Sequence, residues 1–168
     1  MCCKVMSINE LSKPVGLWCE HRKPGLGCGI YQDRPASCRA FSCLWLADPT
    51  QPHKLRPDLT KVVLYLDTDG RRLVARCDPA NPFAWRRDPV YSALKRLARS
   101  AWGSGRTVIA VSGDRTWVIA PGEDVDVGEL DERTPFSVEE QQDGRVRVTL
   151  LPPLNPVEDP TPSPGPAP

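Results

Sequence analysis

From Lys61 onward the hydrophobic and polar positions fall into regular periods, and before it they do not. Val62-Val63-Leu64-Tyr65-Leu66 is a run of strand formers, Asp69-Gly70 is a hairpin turn signal, and Leu73-Val74-Ala75-Arg76-Cys77 supplies a returning strand. Asp88-Pro89 then offers an N-cap with proline at the first helical position. Behind it Val90, Ala93, Leu94, Leu97, Ala98 and Ala101 recur on one helical face, Lys95, Arg96 and Arg99 turn away, and Gly103 is a stop signal. Residues 106–111 and 116–120 flank Ser112-Gly113-Asp114-Arg115 as a second hairpin, and residues 145–150 alternate charged and apolar side chains after Asp143-Gly144. The order hairpin, helix, hairpin, strand over residues 61–151 predicts an α+β fold, a small antiparallel sheet with one helix packed on a face. Cys77 falls on a predicted strand and reads as a core residue.

Residues 1–60 are rich in Gly, Pro and Cys and carry too few apolar residues in register to build a core of their own. The expectation is an irregular, metal-stabilised N-terminal segment packed on the sheet. At the other end, 8 of the 17 residues from 152 to 168 are proline, which predicts a disordered, extended tail. The chain thus divides into a cysteine-rich segment (1–60), a sheet-and-helix body (61–151) and a tail (152–168).

Charge changes this picture modestly. The 168 residues sum to +1, but residues 1–115 carry 19 Lys/Arg against 10 Asp/Glu and residues 116–168 carry 3 against 11. No block of five like charges occurs, so a dedicated nucleic-acid surface is disfavoured, and the acidic residues 123–132 are expected to fold back on the basic part. There is neither an apolar run of membrane-spanning length nor a basic-then-apolar start, which predicts a cytoplasmic protein with no membrane partner.

The cysteines change it more. Six of the seven, Cys2, Cys3, Cys19, Cys28, Cys38 and Cys43, lie in the first 43 residues, with His21 close behind Cys19. A disulfide framework is disfavoured by the odd total and the expected reducing compartment, and packing as small hydrophobes by the lack of a local core. Metal binding remains, because thiolates with imidazole select zinc or iron–sulfur clusters and the ion supplies stability that the segment lacks. Spacing does not settle the metal, since C-x2-C pairs are absent. In an extended stretch Cys19 and His21 would project to one side. On one continuous helix Cys38 and Cys43 would stand about 140° apart, so sharing an ion requires a bend between them. Adjacent Cys2 and Cys3 point in different directions, and six thiols plus an imidazole exceed the four ligands of one zinc.

The word Cys28-Gly29-Ile30-Tyr31-Gln32-Asp33-Arg34-Pro35-Ala36-Ser37-Cys38-Arg39-Ala40-Phe41 resembles the C-x-I-Y-x-x-R-P-x-x-C-R-x-[FY] core of the YkgJ-like cysteine-cluster family. Cys2-Cys3 looks like the end of that family's C-x-x-C-C element, although Met1 leaves no room for its first cysteine, a gap that His21 could fill as a substitute ligand. The resemblance covers residues 1 to about 45, about a quarter of the chain. It implies a zinc- or iron-chelating protein; a related cluster in flagellin lysine methylases implies, as the alternative, an iron–sulfur-dependent enzyme. Absence of a glycine-rich cofactor loop, a serine elbow or paired carboxylates favours the metal-binding module over the enzyme. Arg34 is expected either to donate to sulfur or backbone carbonyls or to pair with Asp33 or an acidic neighbour; Tyr31 and Phe41 are expected to pack beside the metal loop, and Trp18, Trp45 and Leu46 to join it to the sheet.

Overall fold

The computed structural model describes residues 1–131 and 133–152, so the expected tail, Pro152 apart, lies outside the described residues. The N-terminal segment holds short helices α1 (Cys2–Val5), α2 (Ala36–Ala40), α3 (Leu44–Ala47) and α4 (Pro57–Thr60), and a small ribbon of β1 (Arg22–Lys23) and β2 (Gly27–Cys28). Strands β3 (Val62–Leu66), β4 (Arg72–Cys77), β5 (Thr107–Ser112), β6 (Arg115–Val118) and β7 (Val125–Glu129) form one sheet in that order. Helix α5 (Val90–Ala101) lies between β4 and β5 in sequence, and β8 (Phe136–Glu140) pairs with β9 (Val146–Leu150) in a separate hairpin.

Both expected hairpins form, β3 with β4 and β5 with β6, each antiparallel. The sheet as a whole is not antiparallel, however. β4 and β5 run parallel, from Arg72 opposite Thr107 to Arg76 opposite Val111. The physical reason is the connection: α5 carries the chain back along a face of the sheet to the end where β4 began, a crossover that makes the next strand parallel. The mixed sheet keeps the α+β class and corrects the pairing. Two further differences concern the acidic half. The acidic stretch does meet basic residues, Asp124 pairing with Lys95 of α5 at 2.6 Å and Asp126 with Arg115 at 2.8 Å, but it does so while supplying edge strand β7, which was not expected. The strand at 145–150 pairs with β8, Phe136 opposite Leu150, outside the main sheet.

Alternation along the strands splits the core into two layers. Val62, Leu64, Leu73, Ala75, Cys77, Val108 and Ala110 face α5, where Val90, Ala93, Leu94 and Ala98 meet them together with Trp85 and Trp117. α5 starts one residue later than expected, with Pro89 at the N-cap instead of inside the helix, and Asp88 before it accepts from the Ser92 backbone N–H at 3.1 Å and from its hydroxyl at 2.6 Å. Val63, Tyr65, Val74, Ile109, Val111 and Val118 face the other way, onto Val5 and Cys43, with Phe41, Trp45 and the β8–β9 hairpin closing over them. The N-terminal segment thus lends its buried side chains to the body, Val5 and Cys43 to this second layer and Leu55 to the first. Phe41 stands edge-on to Tyr65 at 5.3 Å. Trp45 contributes as expected, whereas Leu46 and Trp18 turn outward, the latter with the Arg22 guanidinium stacked on it at 3.8 Å. Among the described residues no helix is long and apolar enough to cross a membrane.

Candidate metal centre

Construction of the site begins at α1. Val5 is fully buried against the second face of the sheet, and next to it the Lys4 ammonium reaches the Asp78 carboxylate at the end of β4, at 2.7 Å. Two contacts on consecutive residues fix the short helix and leave Cys2 and Cys3 half-buried at its start. Burial pushes the Asp78 carboxyl up, but Lys4, the Ala80 N–H and Asn81 outweigh it and hold the group below the ordinary carboxylate range. Removing Asp78 leaves a mostly buried ammonium unpaired, so Asp78→Ala is expected to cost about 2 kcal/mol in urea unfolding. The same carboxylate makes the anchor acid-sensitive. Its contribution is complete above the unfolded Asp value of about 3.9 and fades as the pH falls through the lower folded value.

After α1 the chain doubles back. Ile8 and Lys13 exchange backbone hydrogen bonds at 2.9 and 3.0 Å, which turns the Lys13 side chain inward. Its ammonium donates to the carbonyl of Lys4 at 2.8 Å and to that of Met6. The Gly16 N–H then bonds the Lys4 carbonyl at 2.9 Å with a φ of +85°, and a Cβ there would sit 3.0 Å from Pro79, so both the backbone and the space call for glycine. Three residues on, the Cys19 N–H donates to the Cys3 carbonyl at 2.9 Å. That bond brings together two cysteines sixteen residues apart in sequence.

Residues 19–22 are a turn closed by the Arg22 N–H on the Cys19 carbonyl at 3.0 Å, not the extended stretch expected, so strand alternation does not put His21 on the side of Cys19. The imidazole Nε2 lies 3.5 Å from the Glu20 carboxylate. The ribbon pairs Arg22 with Cys28, and the Gly29 N–H donates to the His21 carbonyl at 2.7 Å. Cys38 rides on α2, whose first turn is tied to Glu10 through the Ser37 N–H at 2.9 Å and hydroxyl at 2.7 Å. The bend that Cys38 and Cys43 require exists at Phe41, where the backbone is extended, but it delivers Cys43 into the apolar layer at 5% exposure. Arg34 donates to the Tyr31 carbonyl at 2.8 Å and stacks on its ring, while Arg39 donates to the Arg34 carbonyl at 2.7 Å. These arginines hold the loop between β2 and α2, the carbonyl option of the two expected.

All seven thiols are free. The Cys3 thiol donates to the Cys2 sulfur, which holds Cys2 down to about 6 and pushes Cys3 up. Burial raises Cys38, against a hydrogen bond from Ser37. Lys13, 8% exposed, is lowered by burial, with the charges of Cys19, Cys3, Cys2 and Cys38 acting against that shift. Cys28 is in turn a charge neighbour of Cys3. Of the seven expected ligands the structure ties Cys19 to Cys3 by a backbone bond and keeps Cys28 beside the His21 turn through the β1–β2 ribbon, while it carries Cys43 away into the apolar layer. Among the described residues, though, no three Cys, His, Asp or Glu side chains stand where together they would hold an ion. Cys77 is 1% exposed on the α5 side of the sheet, and burial pushes its thiol up to about 11.

Lys13 is the residue that sequence reasoning missed. A lone lysine before a proline carries no spacing signal; only the Ile8–Lys13 backbone pairing turns it inward. Compared with protein-family models, with curated proteins and with solved structures, the chain matches none.

Proposed function

We propose that this chain is a metal-binding cysteine-cluster protein that holds zinc or iron through its N-terminal thiols, as its resemblance to the YkgJ-like family implies. The observation that supports this most is the backbone bond that brings Cys19 to Cys3, next to Cys2, from sixteen residues away in the sequence. Soft sulfur donors fit zinc or iron and not magnesium or calcium. In this reading Cys2, Cys3, Cys19, Cys28 and Cys38 hold the metal, the Cys2 thiol being lowered to about 6 by the hydrogen bond from Cys3. Cys43 and His21 serve structure instead. Binding has to draw the thiols closer than they stand, so the ion acts as a staple for the loops that carry them. The cytoplasm, where thiols stay reduced, is the compartment that suits it.

Hydrogen exchange before and after strong chelation tests the staple. Residues 9–40 are expected to exchange faster once the metal is gone. α1 and residues 41–60 should stay protected, because Val5, Cys43 and Leu55 are buried against the sheet or its covering helix. Unchanged exchange in residues 9–40 after verified metal removal would sink the proposal.

A further inference from the structure

α5 leaves one end of the sheet face that it covers open. Leu64 and Leu73 on that face are buried, but Leu66, at the end of β3, is 52% exposed. There Leu66, Leu73, Leu97, Val108 and Leu44 of α3 floor a cleft of about 530 Å³, between the last turn of α5 and the ends where β4 and β5 start. Such a volume suits a small-molecule ligand. Its rim is cationic. The Thr107 N–H donates to the Arg71 carbonyl at 2.9 Å, which sets the backbone of Arg71 beside that of Arg106, and both residues line the cleft. Both are exposed, and among the described residues neither guanidinium has a hydrogen bond or an ion pair. The Asp67 carboxylate accepts from the backbone N–H groups of Arg71 and Arg72, at 2.9 and 3.0 Å, and pairs with neither rim guanidinium.

We propose that this cleft binds a small aliphatic carboxylic acid, its chain on the leucines and its carboxylate at Arg71 and Arg106. Among the described residues no aromatic side chain lines the cleft, so its floor offers a flexible chain a fit and a flat ring nothing to stack on. The guanidinium fork matches a planar carboxylate, and Ser100 and Thr107 on the same walls carry hydroxyls free to donate. The C-terminal end of α5 selects the head group. Ser104 already covers the Ala101 carbonyl with its N–H at 3.1 Å and its hydroxyl at 2.6 Å, and the negative pole of a helix opposes added negative charge. A carboxylate monoanion is therefore favoured over a phosphate dianion. Metal on the cysteine loops is not needed for this binding.

Titration calorimetry and amide NMR of the full chain test this with octanoate, acetate, octanol and octyl phosphate. Octanoate is expected to bind at sub-millimolar concentration and to shift amides in residues 66–73 and 97–108. Acetate, which lacks the chain, and octanol, which lacks the charge, should each bind about tenfold more weakly. Arg71→Gln/Arg106→Gln should weaken octanoate about tenfold and leave octanol unchanged, and Ser100→Trp, which fills the cleft, should abolish binding of both. All three positions are exposed, so the variants are expected to fold. No octanoate binding to the full chain, octanol binding as tightly as octanoate, or an unchanged double variant overturns the proposal. Amide shifts centred instead on the exposed Leu17, Trp18 and Leu26, or tighter binding of octyl phosphate than of octanoate, overturn it as well. Should a variant fail to fold, the wild-type comparison of octanoate with octanol and octyl phosphate still decides.

Discussion

Trp85→Ala is expected to lower stability by about 3–5 kcal/mol, shifting the thermal midpoint down by about 10 °C or more. Trp85 is fully buried where the three-residue turn before α5 meets the sheet, its ring 5.4 Å from Trp117 and 6.2 Å from Tyr91. Truncation would leave a cavity walled by helix, strand and turn, elements that cannot all relax into it. Among the described residues the indole N–H has no hydrogen-bond partner, so Trp85→Phe loses volume without losing a bond. Its cost should be only about 1–2 kcal/mol. Urea unfolding of the two variants separates packing from hydrogen bonding. Equal costs would mean that the N–H is satisfied after all.

A second large effect is expected on metal content. Cys28→Ser and Cys38→Ser should each reduce bound metal severalfold, because a hydroxyl is a hard, weakly acidic donor that does not replace a thiolate. Cys77→Ser should leave metal content unchanged. It should still destabilise the fold by about 1–2 kcal/mol, since it puts a hydroxyl into the apolar layer under α5. The crossed pattern distinguishes ligand from core: two variants lose metal and the third loses stability. Equal metal loss in all three would mean that Cys77 or the cluster has been misassigned. The visible spectrum then separates the chemistries, zinc being colourless and an iron–sulfur cluster brown, and matching iron and acid-labile sulfide would favour the enzyme alternative.

Much of the body was legible because each element carried its own local signal. The Asp69-Gly70 turn, the helical spacing from Val90 to Ala101 and the Gly113 turn all mark structure within a dozen residues. Pairings that depend on distant partners were not legible. Nothing local says that β5 lies beside β4, and β7 hides its Val125 and Val127 alternation among acidic residues that read as a partner for the basic part and not as a strand. The second core layer was invisible for another reason. Val5, Phe41, Cys43 and Trp45 come from irregular backbone, so their burial follows no period and is imposed by the face of the sheet. At the candidate centre the residue types were readable and their grouping was not. The Cys19 contact with Cys3 depends on the Lys13 and Gly16 backbone bonds, and the turn at residues 19–22 defeats the alternation that would have joined His21 to Cys19.

The central claim is that the N-terminal thiols bind zinc or iron, and the most direct test is elemental analysis of the full chain purified without oxygen, with the Cys28→Ser/Cys38→Ser double variant beside it. The expected result is zinc or iron near stoichiometry with the wild-type chain and little in the double variant. Wild-type protein that carries neither metal and takes up neither on anaerobic reconstitution, or a double variant that retains the full complement, would contradict it.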